Sequence, residues 1–138
     1  MRYEVIIGAD PPGDNIVTPA RRAIMAAEIV AGVQRQLPVE IRDLARALPV
    51  HYESTPRAEI VAEGFPSDIL GLFEGPAHGE EPSENPQPAQ ILLYLDNLWD
   101  YAEQDVAAFR AEVRLTYLHE LGHYLGWDED EIAARGLD

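Results

Sequence analysis

The sequence predicts an α+β fold: a small sheet of three to four strands packed against helices, with a long helix near the C-terminus. Two patterns carry this expectation. Phe109, Val113, Tyr117, Leu121 and Leu125 recur four apart, which puts them on one face of a helix over about 105–125. Three short apolar runs bounded by proline, glycine and acidic residues read as strands. With 138 residues the chain is expected to form one domain around one core. Residues 1–18 are expected to be an extended or loosely ordered N-terminal segment.

Taken in order, residues 8–15 read as loop, with two prolines and two glycines among eight. Thr18 followed by Pro19 has the form of an N-cap with proline at the first helical position. The helix runs from there to about Gln36, with Ile24, Ala27, Val30 and Ala31 at core spacing, and Pro38 stops it. A second helix over about 39–48 buries Ile41, Leu44 and Leu48. Pro49 to Thr55 predicts a strand with Val50 and Tyr52 on one face. Ile69 to Glu74 predicts a second strand, and Gly75 to Gln90, rich in Pro, Gly and Glu, a loop that can gate a cleft. Ile91 to Leu95 is apolar on both faces, as in a fully buried strand. Asp96 can cap a short helix through about Glu103. After the long helix, Gly126 provides a stop, and a last helix covers about 129–134.

The charge is far from balanced. Twenty-five acids against ten arginines, with no lysine, give a formal net charge of −15. Residues 1–47 hold six of each and cancel, so residues 48–138 carry the whole excess. Such a surface repels phosphate backbones, which argues against nucleic acid as a partner and suits cationic peptides or metal ions better. No apolar run is long enough to span a bilayer, and the N-terminus does not read as a secretory signal. The expectation is a cytoplasmic protein with no membrane partner. With no cysteine, a disulfide framework and a thiolate metal site are both excluded. Any metal ligands are His nitrogens and carboxylate oxygens.

The strong chemical signal is His119-Glu120-Leu121-Gly122-His123. Histidines four apart on a helix project one turn above each other, so both imidazoles can reach one zinc ion. Glu120 then lies beside the metal, where a carboxylate can act as general base toward a metal-activated water. Glycine within a helix costs about 1 kcal/mol relative to alanine, so Gly122 points to the close approach of a strand or a substrate. Gly126 follows the second histidine by three residues, where the chain must turn to return a third ligand. Asp128, Glu129, Asp130 and Glu131 come next. Glu129 lies ten residues after His119, the spacing at which extended zinc-peptidase motifs place a third ligand. Asp130 and Asp128 are the alternatives, and Asp128 with Glu131 also fits a capping box.

Other residues read more simply. His51 is expected to be structural or at the surface, and His78 solvated in its loop, or near the site if that loop folds over the cleft. Tyr94, Tyr117 and Tyr124 can each offer a hydroxyl to a developing oxyanion, but packing explains them better. Trp99 and Trp127 read as core or helix-junction residues.

From His119 onward, the run His-Glu-Leu-Gly-His-Tyr-Leu-Gly-Trp-Asp-Glu-Asp-Glu-Ile resembles the signature of the minimal zincin-like metallopeptidases, small bacterial domains of uncharacterised role. The segments Ile69-Leu-Gly-Leu-Phe-Glu-Gly, Ile91-Leu-Leu-Tyr-Leu and Glu112-Val-Arg-Leu-Thr-Tyr-Leu resemble the strands and helix that precede it. The resemblance covers about residues 25–138. It implies a mixed sheet and one zinc ion held by His119, His123 and a downstream acid, usually aspartate at the position of Glu129. Both methionines, Met1 and Met25, lie upstream of the motif, so there is no Met-turn and the metzincin class is excluded.

Two functions follow as expectations. One is a zinc-dependent peptidase that hydrolyses a peptide or protein substrate, with Glu120 as general base. The other is a non-catalytic, zinc-stabilised protein-binding module. A metal-dependent nuclease is a weaker third, because the acidic surface opposes it.

Overall fold

The computed structural model describes residues 17–80 and 88–135. Residues 1–16, most of the predicted N-terminal segment, and residues 81–87 within the predicted loop lie outside the described residues. Six helices and three strands follow in order among the described residues: α1 (Pro19–Gln36), α2 (Val39–Ala47), β1 (Val50–Glu53), α3 (Ala58–Ala62), β2 (Gly71–Glu74), β3 (Gln90–Tyr94), α4 (Leu95–Tyr101), α5 (Val106–Tyr124) and α6 (Glu129–Ala134).

The strand order is β1-β3-β2. β1 runs parallel to β3, with Val50 opposite Ile91 and Glu53 opposite Tyr94. β2 runs antiparallel to β3, with Gly71 opposite Leu93 and Glu74 opposite Gln90. The sheet is therefore mixed, as expected. The unbroken apolar sequence of β3 is explained by its central place: Ile91 to Tyr94 are almost wholly buried. β2 lies at one edge, beside α5.

The core lies between one face of the sheet and helices α1, α4 and α5. Phe109, Val113, Tyr117 and Leu121 are each fully buried, so the expected face of α5 faces inward. Asp105 starts this helix as expected, its carboxylate accepting from the Ala108 N–H at 2.8 Å. Two consecutive left-handed residues, Glu103 and Gln104, turn the chain sharply from α4 into it. Tyr117 reaches α1, where its hydroxyl accepts from Gln34 Nε2 at 3.0 Å.

Several expectations need correction. The buried face of α1 is Arg22, Met25, Ala26, Val30 and Val33. Ile24 is 54% exposed and Ala27 is also exposed, so the expected face was rotated by about one residue. α1 is rich in alanine, and its small side chains blur which stripe is apolar. The Thr18 cap is as expected, accepting from the Arg21 N–H at 3.1 Å. In α2 the most buried residue is Ala45, with Ile41 and Leu44 half-buried.

Asp96 does not cap α4. It lies in the first turn of that helix, and its carboxylate binds Arg22 Nη2 at 3.0 Å. Arg22 also donates to the Val17 carbonyl at 2.8 Å and stacks over Trp99, which meets the edge of Phe109. One buried guanidinium thus ties the start of α1 to α4, and Trp99 is the helix-junction residue expected. The short helix α3 has no counterpart in the expected elements.

Candidate functional site

His119, Glu120 and His123 all lie in the last turns of α5. Leu118, Leu121 and Gly122 on the same turns are buried, which fixes the helix rotation and leaves the three polar side chains half-buried at its rim. The two Nε2 atoms approach to 3.1 Å, and the ring planes stand at 82° with centroids 4.7 Å apart. A tetrahedral zinc ion about 2.0–2.1 Å from each of two ring nitrogens requires those nitrogens to lie roughly 3.3 Å apart. The observed separation fits within a few tenths of an ångström. An imidazole–imidazole hydrogen bond has a similar length. Both rings present the distal nitrogen, at adjacent turns of one helix, to the same point, as two ligands of one cation would.

Beside the pair is a cleft of about 410 Å³ lined by Ile69, Leu70, Gly71, Leu115, Thr116, His119 and Glu120. One wall is α5 and the other is the start of β2. Gly71 sets how closely they meet. A Cβ at position 71 would lie 2.6 Å from Thr116 Cγ2 and 3.2 Å from the Leu92 carbonyl oxygen. Asn97 pins the segment before β2, donating from Nδ2 to the carbonyls of Ser67 and Ile69, both at 2.9 Å. The site is thus a helix terminus and an edge strand held at fixed spacing.

The turn after α5 follows the logic expected of Gly126. The Trp127 N–H donates to the Gly122 carbonyl at 3.0 Å, and the Gly126 N–H to the His123 carbonyl at 3.0 Å. Gly126 itself has φ of +80°. This is the Schellman arrangement, which needs a residue at ease in the left-handed region. The chain leaves α5 at Leu125, turns at Gly126 and enters α6 at Glu129. Asp128 caps α6 through Oδ1, which accepts from the Glu131 N–H at 2.8 Å, and the Glu131 carboxylate reaches back to the Asp128 N–H. The cap engages the Asp128 carboxylate locally. Asp130 is exposed on α6, and the side chain of Glu129 lies outside the described residues. Among the described residues, no set of three His, Asp or Glu side chains is placed to hold a metal ion.

The other residues considered have defined surroundings. Tyr117 is in the core, and burial raises its phenol pKa. Tyr94 is fully buried in β3, and its pKa is pushed up to about 12, first by burial and then by Glu53 and Glu74 nearby. Tyr124 is half-buried, with its ring 5.7 Å from that of Phe73 and 5.9 Å from that of His78. His78 is exposed, yet its N–H donates to the Tyr124 carbonyl at 2.6 Å, so its loop docks one residue from His123. Trp127 packs under Arg135 at 4.0 Å, and His51 is exposed on β1.

Residues 45–137 match the family model described as zincin-like metallopeptidase. The chain belongs to this family. The match spans the strands, the cleft, the histidine pair and the turn into α6, so the family is carried by the part of the chain that builds the site. Zincin-like membership implies zinc binding and supports a peptidase function in general. The convergent nitrogens of this zincin-like chain are the donor chemistry such an ion requires. No curated protein matches the chain. Among the described residues, no helix is long and apolar enough to cross a membrane.

Proposed function

We propose that the chain is a zinc-dependent peptidase in which His119, His123 and Glu129 hold one zinc ion and Glu120 is the general base. The observation that carries this reading is the pair of Nε2 atoms 3.1 Å apart, with His119 and Glu120 on the wall of an open cleft beside it. Glu129 is the third ligand chosen because Asp128 is engaged in capping α6 and Asp130 points to an exposed face. Zinc, when bound, supplies positive charge that polarises the scissile carbonyl and acidifies water.

The chain's own residues do the rest. Glu120 accepts the proton of the attacking water and delivers it to the leaving amine nitrogen, so the carboxylate is regenerated each cycle. β2 is an edge strand among the described residues, and its outer backbone can take an extended peptide as an added strand. Gly71 and the apolar walls Ile69, Leu70 and Leu115 set the depth available to that peptide. The substrate is a peptide or protein. The net charge of −15 disfavours nucleic acid.

The test is a peptide-library digest by the parent chain beside Glu120→Gln, with zinc measured in both. The glutamine variant should keep its zinc and lose turnover by about 10²–10⁴-fold, the usual contribution of a general base. Equal turnover in the two would refute the role of Glu120. Zinc binding with no hydrolysis of any peptide by the parent would favour a zinc-stabilised binding module instead.

A further inference from the structure

A second cavity, of about 490 Å³, opens between α1 and α5 and shares no lining residue with the cleft. Glu28, Ile29, Gly32, Val33, Arg35 and Gln36 line it from α1, and Arg110, Ala111 and Arg114 from α5. Three of the ten arginines in the chain thus line one groove, with one carboxylate beside them among the described residues, in a protein of net charge −15. Among the described residues none of the three has an ion-pair partner, whereas Arg22 and Arg57 pair with Asp96 and Glu53.

This concentration has a cost. Arg110 and Arg114 are four apart on one helix, where like charges repel. Arg35 alone is explained by its place in the last turn of α1, where the helix dipole favours a cation. Arg110 and Arg114 are exposed on α5 and lie away from its last turn, so the helix dipole does not favour them. Gly32 is the second, independent sign. It sits well inside α1, where glycine costs about 1 kcal/mol relative to alanine. A Cβ there would meet only Arg35 Nη2, at an ordinary 3.5 Å. Packing therefore does not demand the glycine, and its effect is to leave the groove floor low beneath a guanidinium.

We propose that this groove is a binding site for a phosphate-class oxyanion. Guanidinium groups present planar forks of N–H donors that match such oxygens in pairs. Size decides between a small anion and a polyanion. The field of a charged group fades over about 10 Å at 0.1 M salt. A small anion in the groove senses mainly the three arginines, while a nucleic acid would meet the acidic remainder of the surface.

The test is titration of the full chain with inorganic phosphate at constant ionic strength, followed by amide nitrogen–proton NMR. Saturable shifts are expected at Gly32, Ala111 and Arg114, with chloride at equal ionic strength producing none. Arg110→Gln/Arg114→Gln should raise the apparent Kd by about a hundredfold or more, one charge-assisted hydrogen bond being removed per residue. Gly32→Leu, which fills the floor and keeps every charge, should weaken it as well. Absence of saturation in the parent, or binding undiminished in the arginine double variant, would overturn the proposal. A family-typical peptidase assay is unaffected by either outcome, so this site stands or falls apart from the cleft.

Discussion

Gly71→Ala is the substitution whose consequence can be worked most directly from the structure. The added Cβ would lie 2.6 Å from Thr116 Cγ2 and 3.2 Å from the Leu92 carbonyl oxygen. Carbon atoms in ordinary contact stay about 3.5–4.0 Å apart, so the overlap with Thr116 is roughly 1 Å. Thr116 is 9% exposed and β-branched in the middle of α5, so its methyl has little freedom to rotate away. β2 must instead lift from α5. Overpacking of this kind costs about 1–3 kcal/mol. With an unfolding entropy near 2.1 cal/mol/K per residue, 138 residues give about 0.3 kcal/mol/K, so Tm should fall by roughly 3–10 °C. Because β2 and α5 are the two walls of the cleft, peptidase activity should fall with it. Thermal melts of Gly71→Ala in the parent and in a Thr116→Ala background form the assay. With the methyl gone, the substitution should cost far less in the second background, a coupling between the two sites. Equal cost in both backgrounds would refute the close approach as the reason for the glycine.

Two further outcomes are expected. Asp96→Ala should destabilise the chain by about 1–3 kcal/mol, because it strips the carboxylate from a buried guanidinium; chemical denaturation checks this, and the loss should shrink in an Arg22→Met background. Burial pushes Tyr52 and Tyr94 up to about 12 and raises Tyr117 also, so these phenols keep their protons longer in the folded chain than in the unfolded one. The stability they contribute is fully present below about pH 10 and is lost as pH rises toward 12. Absorbance titration should show part of the tyrosinate signal delayed and released together with unfolding.

The long helix and its histidine pair were legible because one residue pattern served two purposes. The four-residue repeat from Phe109 to Leu121 fixes which way α5 faces, and His119 and His123 obey the same spacing. The central strand was legible because only burial on both faces tolerates Ile91 to Tyr94. The capping box of Asp128 and Glu131 was likewise local and could be read from two residues. What escaped depends on distant neighbours. Asp96 reads as a helix cap until Arg22, 74 residues earlier, is brought against it. The buried stripe of α1 is set by what α5 and α4 present to it, and alanines on several faces leave the sequence ambiguous. Gly71 is one glycine in an apolar strand until Thr116 is placed 45 positions later. α3 has five residues, too short for periodicity to register.

The claim that two imidazoles on α5 grip one metal ion is tested most directly by zinc stoichiometry. Elemental analysis of the purified chain after dialysis against trace zinc should return one zinc per parent chain, and essentially none for His119→Ala or His123→Ala with the fold intact by circular dichroism. A folded parent that takes up no zinc, or a folded His119→Ala that retains a full equivalent, would contradict it.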